Sequence, residues 1–134
     1  MKKINIIIIS FTLFFFSLFV IIGLIIGRAV SNQCYEAIKV NSGDCISALI
    51  MVLNDDNNGF RERNSAVWAL GQLGDKRALP YLKQYYSGNI AKKESLDKGI
   101  SQLELKKAID LTSGGINITS IFWRNSLFLK NPER

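Results

Sequence analysis

The sequence predicts an all-α protein, in which an N-terminal transmembrane helix is followed by a short stack of about two helix pairs and a C-terminal capping segment. Three observations predict this fold class. The first part of the 134-residue chain contains a long apolar run without charged residues. After Asp44, apolar residues recur at intervals of three and four positions, which is the period of an α-helix. Two of the resulting helical segments match each other at a constant offset, as stacked repeats do.

The apolar run extends from Ile4 to Gly27. At 1.5 Å of rise per residue it forms a helix of about 36 Å, which exceeds the hydrocarbon core of about 30 Å. The alternative is a cleaved secretory signal with Ala29-Val30-Ser31 as its cleavage site. Such signals have a shorter apolar region, and Arg28 places a charge where a cleavage region is normally neutral. We therefore assign residues 1–30 to an uncleaved transmembrane anchor.

Charge predicts the orientation of this anchor. Lys2 and Lys3 precede the apolar run, and basic residues beside a span favour the cytoplasmic side. We therefore expect the N-terminus in the cytoplasm and the chain after Arg28 outside it. Without Lys2, Lys3 and Arg28, the net charge falls from +6 for the whole chain to +3 for the rest of it. This charge is too weak and too dispersed for a nucleic-acid-binding surface.

Two glycines near the outer end of the run, Gly23 and Gly27, have the G-x-x-x-G spacing. This spacing lets two helix backbones approach closely, so one interpretation is a homodimer contact within the membrane. The other is that glycine is simply frequent in membrane helices.

Residues 31–43 are assigned to a linker that contains the turn signal Asn41-Ser42-Gly43. Outside the cytoplasm, Cys34 and Cys45 can form a disulfide, and closing a loop of about a dozen residues would stabilise the fold by about 3 kcal/mol. The alternative is two unpaired thiols that pack as small apolar groups. The spacing is not C-x-x-C, which disfavours a redox-active pair.

Residues 44–112 carry the helical periodicity and form the predicted repeat domain. Asp44 is a suitable N-cap for the first helix, and the second runs from near Phe60 to Gly74, a residue suited to the left-handed position after a helix. Asp75 caps the third helix, with Pro80 in or near its first turn. The fourth extends from about residue 95 to residue 112.

Residues 113–134 form an apolar and aromatic tail. Its first residues alternate like a strand before a short helix. We expect residues such as Ile121, Phe122, Leu127 and Phe128 to cover the open end of the repeats, with Arg124, Lys130 and Arg134 at the border. The alternative is that the tail lies at the bilayer interface, where Trp123 would also be at home.

The first helices of the two pairs match at an offset of 33 residues, for example Cys45 with Ala78. The second helices match at an offset of 39, for example Ala69 with Ala108. The second pair therefore has a longer internal loop. The small residues of the second helix suit the close backbone approach of stacked helix pairs.

The segment 63–82 reads RNSAVWALGQLGDKRALPYL. It resembles the HEAT-like repeats first noted in phycobilisome lyases and found across bacterial proteins, whose pattern is R-x-x-A-x-x-A-L-G-x-L-G-D-x-x-A-x-P-x-L. The resemblance implies an α-solenoid fragment for protein contacts, in which Arg63 braces the repeats through Asp55 or Asp56. The implied repeat-packing residues are Arg63, Ala66, Ala69, Leu70, Gly71, Leu73, Gly74, Asp75, Ala78, Leu79, Pro80 and Leu82. Lyase activity is not implied, because the match lies in scaffold residues.

The composition argues against catalysis. The chain has no histidine and two cysteines, which excludes a Ser-His-Asp triad, a Cys-His dyad, histidine-rich metal cages and four-cysteine zinc sites. The best remaining acids, Asp55, Asp56, Asp75 and Glu104, are explained as loop and cap residues. We expect no enzyme activity, no cofactor and no metal site.

A stack of two repeats leaves an apolar face open, because a continuous core generally needs about three units. We therefore expect a membrane-tethered protein–protein interaction module in the bacterial cytoplasmic membrane, with an unknown protein partner. Two alternatives stay open. One is a small accessory subunit of a membrane protein complex, and the other is a secreted or periplasmic helical-repeat protein after signal cleavage.

Overall fold

The computed structural model describes residues 2–124, with side chains from residue 5 onward. This part of the chain is all-helical and contains no strand, which confirms the predicted fold class. The α-helices are α1 (Lys2–Val40), α2 (Cys45–Asn54), α3 (Phe60–Leu73), α4 (Leu79–Tyr85) and α5 (Gln102–Thr112), and 3₁₀ helices cover Lys76–Ala78 and Ile118–Phe122.

The first helix is longer than the predicted anchor. It has 39 residues and a length of about 58 Å, so residues 31–40, assigned to a linker from the sequence, are helical. The reason is a buried stripe at helical spacing formed by Val30, Cys34 and Ala37. The helix ends where the backbone N–H and the side-chain amide of Asn41 both donate to the Ala37 carbonyl.

The chain divides into two compact units. Among the described residues, one unit contains α1 up to Ala29 together with residues 118–124, and the other contains Val30–Asn117. In the first unit the C-terminal 3₁₀ helix packs against α1, where the rings of Phe19 and Phe122 meet edge to face with centroids 5.4 Å apart. Residues 115–117 are not helical, and the predicted short helix begins at Ile118, within the alternating pattern.

The second unit is built from two helix pairs. Helix α2 packs against α3, α4 packs against α5, and α3 packs against α5. Apolar side chains from all four helices are fully or almost fully excluded from solvent. The second unit therefore has one continuous apolar core. The core includes Ala48, Leu49, Leu53, Ala66, Val67, Ala69, Leu70, Leu82, Leu105 and Ala108.

Helix ends in this unit follow the local signals in the sequence. The Asp44 carboxylate accepts from the Ser47 backbone N–H at 3.0 Å and caps α2. Gly74 ends α3 in the left-handed conformation, with φ of 63°. The third helix begins as a 3₁₀ turn capped by Asp75 before it continues as α4. The fourth helix begins at Gln102, later than the predicted residue 95.

The contact between α3 and α5 is close enough to require glycine. A Cβ atom added to Gly71 would lie 2.7 Å from the Cα and 2.8 Å from the Cβ of Ala108. Because the Ala108 Cα belongs to a helix backbone, it cannot move aside as a flexible side chain would. The two helix pairs are therefore stacked through the second helix of each pair.

Candidate interaction groove

The repeat-packing residues fall into three groups in the structure. Pro80 is exposed and lies in the first turn of α4, where it begins the helix rather than filling the core. The partly buried group is Leu73, Gly74, Asp75 and Leu79. The buried group is Arg63, Ala66, Ala69, Leu70, Gly71, Ala78 and Leu82.

Arg63 links three helices. Its Nε donates to the Leu53 carbonyl at 2.9 Å, at the end of α2. Its guanidinium also lies 5.9 Å from the ring centroid of Phe60 and 5.4 Å from that of Tyr85. Arg63 therefore satisfies one of the terminal carbonyls of α2 and packs between aromatic rings of α3 and α4.

Of the two acids implied as partners of Arg63, Asp56 makes the contact. Arg63 Nη1 lies 2.7 Å from Asp56 Oδ1. The Asp56 side chain is 90% exposed, whereas that of Arg63 is 6% exposed. Asp55 instead accepts from the Asn57 backbone N–H at 2.9 Å. Because an exposed ion pair contributes little, the carbonyl and aromatic contacts hold Arg63 more firmly than the acid does.

A second arginine joins the beginnings of the two pairs. Arg77 Nη1 donates to Asp44 Oδ2 at 2.7 Å, and Arg77 Nη2 donates to Asp75 Oδ2 at 2.9 Å. The hydrogen bonds from Ser47, together with Arg77, lower the pKa of Asp44 to about 2. Hydrogen bonding from Arg77 also lowers the pKa of Asp75. Sequence reasoning missed this bridge, although Asp44 and Arg77 are 33 residues apart, the same offset as the repeat.

The long loop of the second pair, residues 86–101, is held by a buried side chain of α3. Asn64 Nδ2 donates to the carbonyls of Leu96 at 3.1 Å and Gly99 at 2.9 Å. Asn64 Oδ1 accepts from the Ser101 backbone N–H at 2.8 Å. One amide therefore fixes the last part of the loop against α3, which explains why α5 begins only after Ser101.

Glu94 fixes the same loop to the start of α5. Its carboxylate accepts from the Ser101 hydroxyl and from the backbone N–H groups of Gln102 and Leu103. These hydrogen bonds, the one from Ser101 first, lower the pKa of Glu94. A carboxylate is favoured at a helix N-terminus, where backbone N–H groups lack partners within the helix. The loop is thus an ordered wall attached at both α3 and α5.

Between this wall, α3 and the start of α5 lies an open depression of about 890 Å³. We call it the Trp68 groove, because the half-buried indole of Trp68 lies in it. A second hollow of about 430 Å³ lies between α3 and α5 and is also lined by Trp68. The main groove is lined by Arg61, Asn64, Ser65, Trp68, Glu94, Leu96, Asp97, Ser101, Leu103 and Glu104, among others.

Several charged side chains of the Trp68 groove have an ion-pair or hydrogen-bond partner. Arg61 forms an ion pair with Asp97, which lowers the pKa of that carboxyl. Lys107 Nζ lies 2.8 Å from Glu104 Oε1. Leu96 and Leu103 are both exposed large apolar residues in the lining. This combination suits a neutral or apolar side chain better than an isolated anion or cation.

The acids considered for catalysis make contacts that explain their presence. Asp55 accepts hydrogen bonds within its turn, Asp56 pairs with Arg63, Asp75 pairs with Arg77, and Glu104 pairs with Lys107. Among the described residues, no group of three or more histidine, cysteine, aspartate or glutamate side chains could hold a metal ion.

Cys34 and Cys45 form a disulfide, with their Cα atoms 4.9 Å apart. Cys34 lies near the end of α1 and Cys45 is the first residue of α2. The bond therefore spans the turn at residues 41–44 and fixes the end of α1 beside the repeat domain, within the second unit.

The glycine pair of α1 contacts the tail of the same chain. A Cβ atom at Gly27 would lie 2.5 Å from the Cβ of Trp123, and one at Gly23 would lie 3.5 Å from Cδ2 of Phe122. Trp123 is fully buried. The two glycines thus leave space for the tail to pack on α1, a contact that their G-x-x-x-G spacing alone does not predict. Of the residues expected to cap the repeats, Phe122 packs on α1 instead and Ile121 is 71% exposed. Leu127, Phe128, Lys130 and Arg134 lie outside the described residues, and capping by that part of the tail stays a prediction.

Comparison with known proteins supports the repeat. The family model of the PBS lyase HEAT-like repeat matches residues 62–88, which include most of α3 and all of α4. No curated protein and no solved structure matches the chain. The match and the stacked helix pairs together support a HEAT-like repeat protein.

Proposed function

We propose that this chain is a membrane-tethered module for protein–protein interaction without catalytic activity of its own, and that its repeat domain offers the Trp68 groove to a partner outside the cytoplasm. The observation that carries the proposal is the half-buried Trp68 in an open groove on a helical repeat. Helical repeats characteristically use such concave surfaces for binding, and tryptophan is prominent among residues that dominate interface energies.

The tether is supported by the solvent exposure of α1. The helix from Asn5 to Val40 contains a stretch with a mean hydropathy of 2.8, and only 6% of that stretch is buried by the protein. A core helix of a soluble protein would be mostly buried, so the apolar side chains need another apolar environment. The length and composition of the helix suit a bilayer.

Two contacts support an uncleaved anchor with an exported domain. Cleavage at residues 29–31 would remove Gly27, against which Trp123 packs. The disulfide between Cys34 and Cys45 lies on the C-terminal side of the apolar run, and disulfides persist mainly outside the cytoplasm. This agrees with the orientation expected from the basic residues before the run.

Orientation is tested with a cysteine placed in the exposed loop. The Lys92→Cys variant should react with a membrane-impermeant maleimide in intact cells whose outer membrane, where present, has been opened. The parent chain, with both native cysteines bonded, should react far less. Labelling only after rupture of the inner membrane would contradict the proposed orientation.

Partner binding is tested by photo-cross-linking in native membranes. A photoreactive residue at Leu103, in the groove, should give a discrete adduct with one protein, and the same residue at the exposed Lys83 of α4 should not. Adding Trp68→Ala should abolish the Leu103 adduct, with thermal unfolding as the control for folding. Equal adducts at both positions, or a Leu103 adduct insensitive to Trp68→Ala, would contradict a groove-based interaction.

The unburied apolar face of α1 favours a second candidate, a small accessory subunit of a membrane complex in which the span supplies the recognition. Co-purification of the same partner should then survive Trp68→Ala and deletion of the repeat domain. Loss of the partner with either change supports partner binding through the Trp68 groove.

A further inference from the structure

The C-terminal 3₁₀ helix, Ile118–Phe122, contacts the apolar helix at a definite depth. Trp123 packs on Gly27, and Phe122 contacts both Gly23 and Phe19. Gly27 directly precedes Arg28, the first charged residue after the apolar run. Gly23 lies five residues before Arg28 and Phe19 nine, which places them about 7 Å and about 13 Å deeper along the helix axis.

These depths fall inside the bilayer if α1 spans it. Half of the hydrocarbon core is about 15 Å thick, and Arg28 marks the boundary where a charge reaches the headgroups. A segment that touches Gly23 and Phe19 is therefore below the headgroup level. Trp123, beside Gly27, is at the boundary itself, where tryptophan is enriched in membrane proteins.

The outer surface of the segment is apolar. Ile118 is 58% exposed and Ile121 is 71% exposed. Ile22 and Ile25 of α1 are also exposed. Exposure of these apolar side chains to water would be unfavourable, whereas lipid acyl chains would cover them favourably.

The backbone of the segment tolerates this environment. It is a 3₁₀ helix, so it forms hydrogen bonds within itself. The backbone N–H groups of Trp123 and Arg124 both donate to the Ser120 carbonyl, at 3.3 Å and 2.8 Å. Such internal hydrogen bonds reduce the number of backbone groups that would lack a partner at membrane depth.

We propose that Ile118–Trp123 is a second membrane-contacting element, which lies in the outer leaflet beside α1 with Ile118 and Ile121 against lipid acyl chains. This proposal rests on the proposed membrane tether, and it names the bilayer itself as the partner of the tail. Gly23 and Gly27 then provide the space in which the tail packs on α1 of the same chain.

The test uses the full chain in vesicles of phosphatidylcholine and phosphatidylglycerol. Single cysteines replace Ile121, Leu24 of α1, or Lys92 of the exposed loop, and each carries an environment-sensitive NBD label. The native disulfide leaves only the new thiol to react. We expect the Ile121 label to resemble the Leu24 label, with blue-shifted emission and strong quenching by lipids spin-labelled near the headgroup. The Lys92 label should be quenched by aqueous iodide.

Iodide quenching of the Ile121 label to the level of Lys92, while the Leu24 label stays lipid-quenched, would overturn the proposal and leave the tether intact. Iodide quenching of the Leu24 label as well would refute the tether, and the proposal with it. Gly27→Leu should displace Trp123 and reduce the lipid quenching at Ile121 at least twofold. The control Ile25→Leu, at an exposed position of the same helix, should not. Equal lipid quenching in the Gly27→Leu and Ile25→Leu variants would contradict the packing of Trp123 on Gly27.

Discussion

Replacement of Gly71 by alanine tests the stacking of the two helix pairs most directly. In a helix without neighbours this change stabilises by about 1 kcal/mol, because alanine is the better helix former. Here the new Cβ would lie 2.7 Å from the Cα of Ala108. Overpacking of this kind costs about 1 to 3 kcal/mol. The upper half of that range applies because the obstructing atom belongs to the backbone, so we expect a net loss of about 1 to 2 kcal/mol.

The loss is measured as the thermal midpoint of the full chain in detergent, followed by tryptophan fluorescence. For a domain of this size, 1 kcal/mol corresponds to about 4 to 8 °C. The matched control is Gly99→Ala, since a Cβ at Gly99 meets no atom within 4 Å. This control should change the midpoint by less than 3 °C or raise it slightly. A raised midpoint for Gly71→Ala would refute the close approach of α3 and α5.

Three further predictions concern the same unit. Ala69→Leu should overpack the fully buried seam and cost about 1 to 3 kcal/mol, and an unchanged thermal midpoint would remove Ala69 from the helix contact. Arg63→Lys should lower stability to urea by about 1.5 to 3 kcal/mol, because lysine loses the planar donor that reaches the Leu53 carbonyl, whereas Arg61→Lys at the surface should cost under about 0.5 kcal/mol. The lowered pKa of Asp44 means that its stabilising contribution is present above about pH 4 and is lost as pH falls towards 2. Asp44→Ala should cost about 1 kcal/mol of stability at pH 7, and acid-unfolding curves of this variant should show a weaker dependence of stability on pH. A variant with the parent's pH profile would show that Asp44 does not cause the dependence.

Local signals in the sequence were sufficient for most helix ends. Asp44 caps α2 and Gly74 ends α3, because each needs only the few residues around it. The length of α1 could not be predicted in this way. Asn32, Gln33 and Glu36 make residues 31–40 look like a polar linker, and the buried stripe emerges only when the repeat domain is packed beside it.

The position at which α5 begins was predicted wrongly for a similar reason. Leu96 and Ile100 keep helical spacing with the residues that follow, so the pattern predicts a helix from about residue 95. In the fold, Asn64 donates to the carbonyls of Leu96 and Gly99, and these bonds hold the segment in a non-helical turn against α3. The decisive partner is 32 residues away, which is beyond the reach of a local pattern.

The groove arises where the chain departs from a regular repeat. The repeat pattern places no requirement on Trp68, and the offset between matching helices grows from 33 to 39 residues only in the second pair. The added chain is ordered by Asn64 and Glu94, and it forms the wall that turns the surface of α3 into a depression around Trp68. The residues shared with other repeats therefore build the scaffold. Trp68 and the loop, which the pattern leaves open, form the groove to which we assign the proposed partner.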